Sequence, residues 1–328
     1  MGKGPERGMG APPRALLAPR HWPTWIGVGL LSLLQLLPAA VRDGLGASVG
    51  ELQYRLGGRR RQTVELNLGY CFPELSETER AARARAYFHA WARAMADHAV
   101  LWWDFRCRVP ARRCRVHGLE HVHAQRAAGR PVILLCAHSS AIDFGGVAVA
   151  SAVPQAAMVN RLGNPVADWL VRGARDRYEG VLLEREQGLR PALRAAREEG
   201  VLFYSPDEDL GARDSVFVPF FGRAKATLST LGRLARALDA AVVPMYAWYD
   251  AGERRYQVHL DAPLADFPTG DAEGDARAMN AALEQLIALC PEQYLWSYRL
   301  FRTQPDGTRL HYPKRSPWRR YLRRRKRL

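Results

Sequence analysis

The feature that most constrains the fold is a series of short, uninterrupted apolar runs that alternate with helical patterns after about residue 75. Residues 131–137 (PVILLCA) form such a run, and residues 201–205 and 241–248 form two more. A strand that is apolar at every position is buried on both faces, as in a parallel sheet covered by helices. The sequence therefore predicts an α/β fold with a mostly parallel central sheet flanked by helices.

Capping patterns and weaker periodicities indicate the other elements. Ser76 and Glu79 form a capping box that predicts the start of a long helix, and Asn164 followed by Pro165 predicts the start of another. Further elements are predicted at residues 156–160 (a short strand), 255–260 (an edge strand) and 271–289 (a helix).

The N-terminal region contains 20 consecutive residues, 22–41, without a charged side chain. A helix of about 20 apolar residues crosses the hydrocarbon core of a bilayer, and Trp22 and Trp25 suit its interfacial end. The alternatives are a cleaved signal peptide, a buried core helix, a helix that lies in the interface and a re-entrant helix broken near Pro38. The predicted organisation is 1–20 (basic N-terminal tail), 21–42 (membrane-anchoring helix), 43–312 (globular domain) and 313–328 (basic C-terminal tail).

Charge and cysteine content restrict the partners and the compartment. The net charge is +15, from 48 Lys and Arg against 33 Asp and Glu, which indicates an anionic partner such as acidic lipid, acidic protein or nucleic acid. The five cysteines are scattered without CxxC spacing. They are typical of free thiols in a reducing compartment rather than of a zinc site, so the globular part is expected to face the cytoplasm.

The candidate catalytic pair is His138 and Asp143, which follow the apolar run 131–137 directly. Ligands of open α/β sheets bind beyond the carboxyl ends of the strands. If the Asp143 carboxylate turns back onto the imidazole, His138 can act as a general base that Asp143 orients. The HxxxxD spacing alone is a weak signal, and a structural histidine at a strand end is the alternative.

A second candidate block, residues 204–221, also follows a buried strand. It joins an acidic cluster, a glycine turn and an arginine to an aromatic run: Asp207, Glu208, Asp209, Gly211, Arg213, Phe217 and Phe220. Three such acids are compatible with a divalent metal, with helix caps, or with orientation of a sugar or phosphate beside the arginine. Because so much apolar surface needs cover, we expect the aromatic run to form a wall of a groove for an apolar chain.

Several blocks in a fixed order make residues 20–312 resemble the late acyltransferases of lipid A biosynthesis, the lauroyl and myristoyl transferases. The blocks are HWPTWIGVGLL from His21, ELNLGYCFPELSETER from Glu65, AHSSAID from Ala137, GNPVADWLVRGARDRYEG from Gly163, SPDEDLGARDSVFVPFFGRAKATLSTLGRL from Ser205, VVPMYAWYD from Val242 and CPEQYLWSYRLFRTQP from Cys290. The GNPVADW and KATL segments are more similar to the myristoyl branch.

The resemblance implies a glycerolipid-acyltransferase-like fold, with residues 43–312 as a cytoplasmic acyltransferase domain held on the bacterial inner membrane and its anionic lipids. It implies acyl-carrier-protein thioesters as donors and a Kdo-lipid A precursor as acceptor, through the 3-hydroxyl of an acyl chain already attached to the sugar. It implies no cofactor, no metal and no nucleic-acid partner.

The resemblance also assigns residues. His138 and Asp143 match the catalytic pair, and Asp207 and Asp209 match the PDxD block, which is PDED here. Arg161 is the nearest match to a basic residue that is often functional in the family, although the local match is offset.

Two alternatives stay open at this point. One is an acyltransferase of the same fold that acts on another glycolipid or an ornithine-type lipid. A glycerol phosphate acceptor is disfavoured because PDED stands where those enzymes carry a Glu-Gly pair and a phosphate-binding arginine. The other is a non-catalytic, membrane-tethered protein that binds an anionic partner through its tail. This alternative predicts that deleting residues 314–328 abolishes function, whereas His138→Ala does not.

Overall fold

A computed structural model describes residues 10–178, 180–184 and 187–313 of the chain. The strands are β1 (Cys114–His117), β2 (Val132–Cys136), β3 (Ala156–Val159), β4 (Val181–Glu184), β5 (Val201–Tyr204), β6 (Ser215–Phe220), β7 (Arg223–Leu228), β8 (Ala241–Asp250) and β9 (Arg255–Leu260). The helices are α1 (Trp22–Leu34), α2 (Ala39–Leu56), α3 (Gly58–Cys71), α4 (Glu77–Trp102), α5 (Val109–Arg113), α6 (Leu119–Ala127), α7 (Ile142–Ala150), α8 (Pro165–Asp176), α9 (Leu189–Glu199), α10 (Thr230–Leu238) and α11 (Ala272–Ile287).

Seven strands form the central sheet in the order β1-β9-β8-β2-β5-β3-β4, and β6 and β7 form a separate antiparallel hairpin. Every neighbouring pair of the sheet is parallel except β8 with β9. Every residue of β2 is buried, because helices cover both faces at the centre of the sheet. The predicted α/β fold with a mostly parallel sheet is confirmed.

The end of the sheet that carries β9 differs from the prediction. Residues 255–260 form the strand as expected, but β9 pairs with β8 on one side and with β1 on the other. The prediction of an edge strand is wrong because β1 has only four residues, of the sequence CRVH, and is too short and too polar to show a strand pattern.

The capping signals in the sequence are confirmed at two helices. At α4, Ser76 N donates to Glu79 Oε2 (2.8 Å) and Glu79 N donates to Ser76 Oγ (3.3 Å). At α8, the Asn164 side chain accepts from the backbone of Val166 (3.0 Å) and Ala167 (3.2 Å). Each interaction satisfies backbone N–H groups that have no partner within the first turn.

The apolar N-terminal segment is divided between two helices. Helix α1 ends at Leu34, and α2 begins directly after Pro38, which is extended. A proline disfavours helical backbone at the residue before it, so residues 21–42 cannot continue as one helix. Within the described part of the chain, no helix has both the length and the apolar character needed to cross a membrane, and the predicted transmembrane helix is therefore wrong. Of the two predicted basic tails, 1–20 and 313–328, residues 1–9 and 314–328 lie outside the described residues. Residues 10–20 are described and contain two short 3-10 helices, Arg14–Leu17 and Pro19–His21.

Helix α2 packs closely on α4 and leaves its opposite face exposed. A Cβ atom added to Gly50 would lie 2.5 Å from His89 Cα, so only glycine permits the present separation of the two backbones. The outer faces of α1 and α2 and the connection between them carry exposed apolar side chains: Ile26, Leu30, Leu33, Leu36, Val41, Leu45, Val49, Leu52 and Leu56. We call these nine residues the apolar face.

Candidate active site

His138 lies just beyond the carboxyl end of β2 and is held by a carboxylate from the neighbouring strand's loop. Its backbone N–H donates to Asp207 Oδ2 (2.8 Å), and its ring Nδ1 is hydrogen-bonded to Asp207 Oδ1. Asp207 is only 1% exposed and follows β5, the strand that pairs with β2. Parallel strands end at the same edge of the sheet, so adjacent strand ends bring these two residues together.

The pair is polarised so that His138 Nε2 is the basic atom. Burial alone would lower the pKa of His138, but the Asp207 carboxylate outweighs burial and raises that pKa above its ordinary value. Burial would raise the pKa of Asp207, whereas its contacts with His138 lower it. An ionised Asp207 accepts the Nδ1 proton, which leaves the Nε2 lone pair available. Nε2 lies 3.9 Å from Glu208 Oε1.

Asp143 lies in the first turn of α7 and does not orient His138. Its carboxylate accepts from His98 Nε2 (2.9 Å) and from Arg175 Nε (2.7 Å). His98 Nδ1 is also bonded, to the Ala94 carbonyl (2.6 Å). The pKa of Asp143 falls well below its ordinary value, because Arg175 and His98 overcome the effect of burial.

This arrangement differs from the predicted His138–Asp143 contact. Helix α7 starts at Ile142, and the Asp143 side chain binds residues of α4 and α8 rather than His138. The acid that contacts the His138 ring comes instead from the PDED block. The spacing of five residues in the sequence therefore places both side chains at one site without pairing them.

His138 and Asp143 both line a cavity of about 820 Å³, within the roughly 300–1,000 Å³ typical of small-molecule sites. One part of the lining is polar: His98, His138, Ser139, Ser140, Asp143, Arg175, Glu208 and Arg213. Another part is apolar: Leu31, Trp91, Met95, Trp102, Ile142, Leu162 and Val171. The cavity thus suits a ligand with a polar reacting group and an apolar chain.

The other predicted site residues divide between the cavity and its surroundings. Glu208, Gly211 and Arg213 line the cavity. Asp209 does not line the cavity. Its carboxylate accepts hydrogen bonds from Thr303 N (2.6 Å) and Thr303 Oγ1 (2.8 Å) and so holds the segment around Thr303 against the PDED block.

Arg161 is also outside the lining, although its neighbours Asn160 and Leu162 belong to it. The Arg161 side chain is 68% exposed. It donates to Glu184 from both Nε (3.0 Å) and Nη2 (2.7 Å).

The aromatic run has a different position from the predicted groove wall. Phe217 and Phe220 belong to β6 and are absent from the cavity lining. Phe220 is fully buried and packs against Phe221 and Tyr294, with ring centroids 4.9 and 6.2 Å away. The protein core therefore covers Phe220. The apolar wall of the cavity is formed by α1, α4 and α8 together with strands and loops that contribute Met158, Phe203 and Leu210.

Sequence reasoning misses His98 and Arg175, which complete the polar part of the site. Arg175 lies on an amphipathic helix with other charged residues, where a solvated position is the ordinary expectation. His98 had a usable signal, since it lies on α4 between the buried residues Ala94 and Leu101. A polar side chain on the buried face of a helix needs a partner.

The sequence left open a divalent metal at the acids of the PDED block. In residues 10–178, 180–184 and 187–313, no group of three or more His, Cys, Asp or Glu side chains is arranged to hold a metal ion. Asp207 and Asp209, two of the three acids of the PDED block, have the partners described above.

Comparison with known proteins gives a consistent family. The model of the family described as bacterial lipid A biosynthesis acyltransferase matches residues 12–303. A lipid A biosynthesis lauroyltransferase of Escherichia coli is 35% identical over 91% of this chain and 97% of its own length. A lipid A biosynthesis myristoyltransferase of the same organism is 36% identical over 88% and 90%. A lipid A biosynthesis acyltransferase of Haemophilus influenzae is 35% identical over 90% and 92%. The resemblance seen in the sequence is confirmed, and the chain belongs to the bacterial lipid A biosynthesis acyltransferase family.

Proposed function

We propose that the protein transfers a fatty acyl chain from an acyl-carrier-protein thioester to a hydroxyl of an acyl chain on a Kdo-lipid A precursor. The observation that carries this proposal is a histidine, polarised by a buried carboxylate, at the polar part of a cavity whose remaining wall is apolar. An amphiphilic acceptor and an acyl donor both need such a site. Family membership supports the class of reaction.

In the proposed reaction, His138 Nε2 removes the proton from the acceptor hydroxyl. The oxygen attacks the thioester carbonyl carbon, the C–O bond forms and the C–S bond breaks. The imidazolium then returns the proton to the thiolate of the carrier. Asp207 holds the Nδ1–H tautomer and stabilises the transient imidazolium, so that no metal or organic cofactor is required.

Arg175 is the proposed stabiliser of the oxyanion. It lines the cavity with His138, and its charge acts on the His138 ring. Asp143 fixes the guanidinium through two contacts of 2.7 and 2.6 Å. A preorganised cation beside the developing charge lowers the barrier without reorganisation, which assigns Asp143 a role in positioning Arg175.

The test is acyl transfer by the solubilised full-length protein, with carrier-protein thioesters of several chain lengths and a Kdo-lipid A precursor. Wild type should form product, and His138→Ala should lose at least about a hundredfold in rate, the usual contribution of a general base. His123→Ala, a histidine on the exposed surface of α6, is the matched control and should keep the wild-type rate. Product formation undiminished in His138→Ala would contradict the proposed base.

The choice of acceptor is tested by the same assay. Absence of product with the Kdo-lipid A precursor, together with His138-dependent transfer to another glycolipid or an ornithine-type lipid, would replace the acceptor and keep the chemistry. The myristoyl-like segments predict a preference for the 14-carbon donor, which the chain-length series measures.

We also propose that the protein acts on the cytoplasmic side of the bacterial inner membrane. The apolar face exposes nine large apolar side chains of α1, α2 and the connection between them, and patches of this kind mark membrane or protein contacts. The net charge of +15 suits a membrane rich in anionic lipid. In this arrangement α1 and α2 lie in the interface between bilayer and water. Because Leu31 of α1 lines the cavity, the helix at the membrane surface also forms part of the cavity wall.

A further inference from the structure

Lys225 is an unusual residue in this chain. The sequence has four lysines, at positions 3, 225, 314 and 326, and arginine at its other basic positions. Lys225 is the one lysine within the described ranges, and its side chain is 0% exposed. It lies on β7 of the hairpin that packs beside the candidate active site.

The Lys225 ammonium has no hydrogen-bond partner among the described residues. Its Nζ lies 5.3 Å from the centroid of the Phe220 ring, and the Phe220 ring packs on Tyr294, which bridges to Ser139 next to His138. Burial of an unpaired ammonium is costly unless nearby charge compensates it. Such a group beside a reaction site indicates a function rather than a contribution to stability.

Compensating charge comes from the PDED block. The groups whose charges act on Lys225 are Asp207, Asp209, Glu208 and the thiol of Cys71. The pKa of Cys71 is raised by burial, so this thiol is neutral and the three carboxylates supply the compensation. Burial nevertheless lowers the pKa of Lys225 below its ordinary value.

Asp207 therefore interacts with both the His138 ring and the Lys225 ammonium. It hydrogen-bonds His138, and Lys225 acts on its charge from within the core. We propose that Lys225 is a positioning residue of the acyl-transfer site. Its buried ammonium offsets part of the charge of Asp207, so that less of that charge acts on His138 and the ring stays in the neutral form that accepts a proton. This role rests on the proposed function and deepens it.

The sign of the effect follows from the charges around His138, which are Asp207, Glu208 and Arg175, with the Tyr298 ring packed at 5.3 Å. A positive charge behind Asp207 opposes protonation of His138. Removing that charge leaves the full effect of Asp207 on the ring, and the pKa of His138 must rise. A lysine that only fills space with its hydrocarbon stem would leave that pKa unchanged.

The test is a histidine NMR titration of the solubilised full-length protein, with the His138 signal assigned by His138→Asn. Lys225→Met keeps the stem and removes the charge, and it should raise the pKa of His138 by about 0.5–1 pH unit. Lys225→Arg keeps the charge and should leave it at the wild-type value. Arg223→Met removes a charge from the same strand at an exposed position, where solvent screens it, and is the matched control.

An unchanged His138 pKa in a folded Lys225→Met protein would overturn the proposal. If this variant does not fold, the wild-type protein gives the second measurement. The side-chain signal of Lys225, one of four lysines, should shift as His138 titrates, and a signal that does not respond would also overturn it. Because neither measurement uses an acyl substrate, failure of the proposed acceptor or donor would be seen separately, in the transfer assay.

Discussion

At the scale of single residues, the site separates the two nitrogens of His138. Nδ1 is occupied by Asp207, while Nε2 faces Glu208 at 3.9 Å and the cavity. The raised pKa of His138 means that the ring is protonated over a wider pH range than a free histidine. Since a general base acts in its neutral form, transfer should decline as the pH falls through a value above the ordinary pKa of about 6.5.

The variant Asp207→Asn tests this arrangement. Loss of the carboxylate removes the main cause that raises the pKa of His138, so the acid limb of the pH–rate profile should move to lower pH. The maximal rate should fall by about 10²–10⁴, because an amide does not hold the required tautomer. Asp239→Asn is the control, since Asp239 is exposed and does not line the cavity. An acid limb that stays in place in Asp207→Asn would contradict the assigned pair.

Part of the site follows from the sequence, and part depends on contacts between distant segments. His138 and the PDED block each follow an apolar run, and a sheet of parallel strands places such residues at one edge. Which acid pairs with which base depends on where α7 begins and which strands are neighbours. The partners of Asp143 come from α4 and α8, and no local pattern joins those helices to the HxxxxD motif.

At the scale of elements, the α2–α4 contact shows a limit of pattern reading. The apolar run 22–41 predicts one spanning helix because length and hydropathy are its strongest signals. Pro38 ends that continuity, and glycines fix α2 against α4 through a close approach of their backbones. The strands β2, β3, β5, β8 and β9 and the helix caps at Ser76 and Asn164 were predictable because their signals are local. The strands β1, β4, β6 and β7 and the packing of α2 on α4 were not predicted.

A pair of glycine substitutions in α2 tests that close approach. In Gly50→Ala the new methyl group meets the backbone of α4, and the free energy of unfolding should fall by about 1–3 kcal/mol despite the better helix propensity of alanine. In Gly44→Ala, nothing lies within 4 Å of the new Cβ, and the free energy should rise by up to about 1 kcal/mol. Chemical denaturation measures both. Equal stabilisation by the two changes would show that α2 does not pack on α4 as described.

At the scale of the whole molecule, the apolar face and the cavity share helix α1. Ile26 and Leu30 point outward at 64% and 60% exposure, while Leu31 lines the cavity. In the proposed function a lipid acceptor leaves the bilayer with its chains, and a cavity wall formed by a helix at the membrane surface would shorten that transfer.

Membrane association of the intact protein is therefore expected to depend on the apolar face. The double variant Leu45→Glu, Val49→Glu should bind vesicles of phosphatidylglycerol and phosphatidylethanolamine at least about tenfold more weakly, because charge opposes burial at the interface. Its melting temperature should stay near that of wild type, since both side chains are exposed. Ala124→Glu with Ala127→Glu places the same charges on exposed positions of α6 and is the control. Equal loss of binding in both proteins would point to net charge instead of the apolar face.

The segment after α11 affects when the enzyme becomes active during its own synthesis. Leu295 N donates to the His138 carbonyl (3.1 Å), and Ser140 N donates to the Gln293 carbonyl (3.0 Å). The backbone from the His138 carbonyl to the Ser140 N–H is thus bonded to residues that leave the ribosome after all seven strands of the sheet. A nascent chain that has already folded its sheet still lacks these two hydrogen bonds. We therefore expect acyl transfer to begin only after residues 293–295 have emerged from the exit tunnel and packed beside His138.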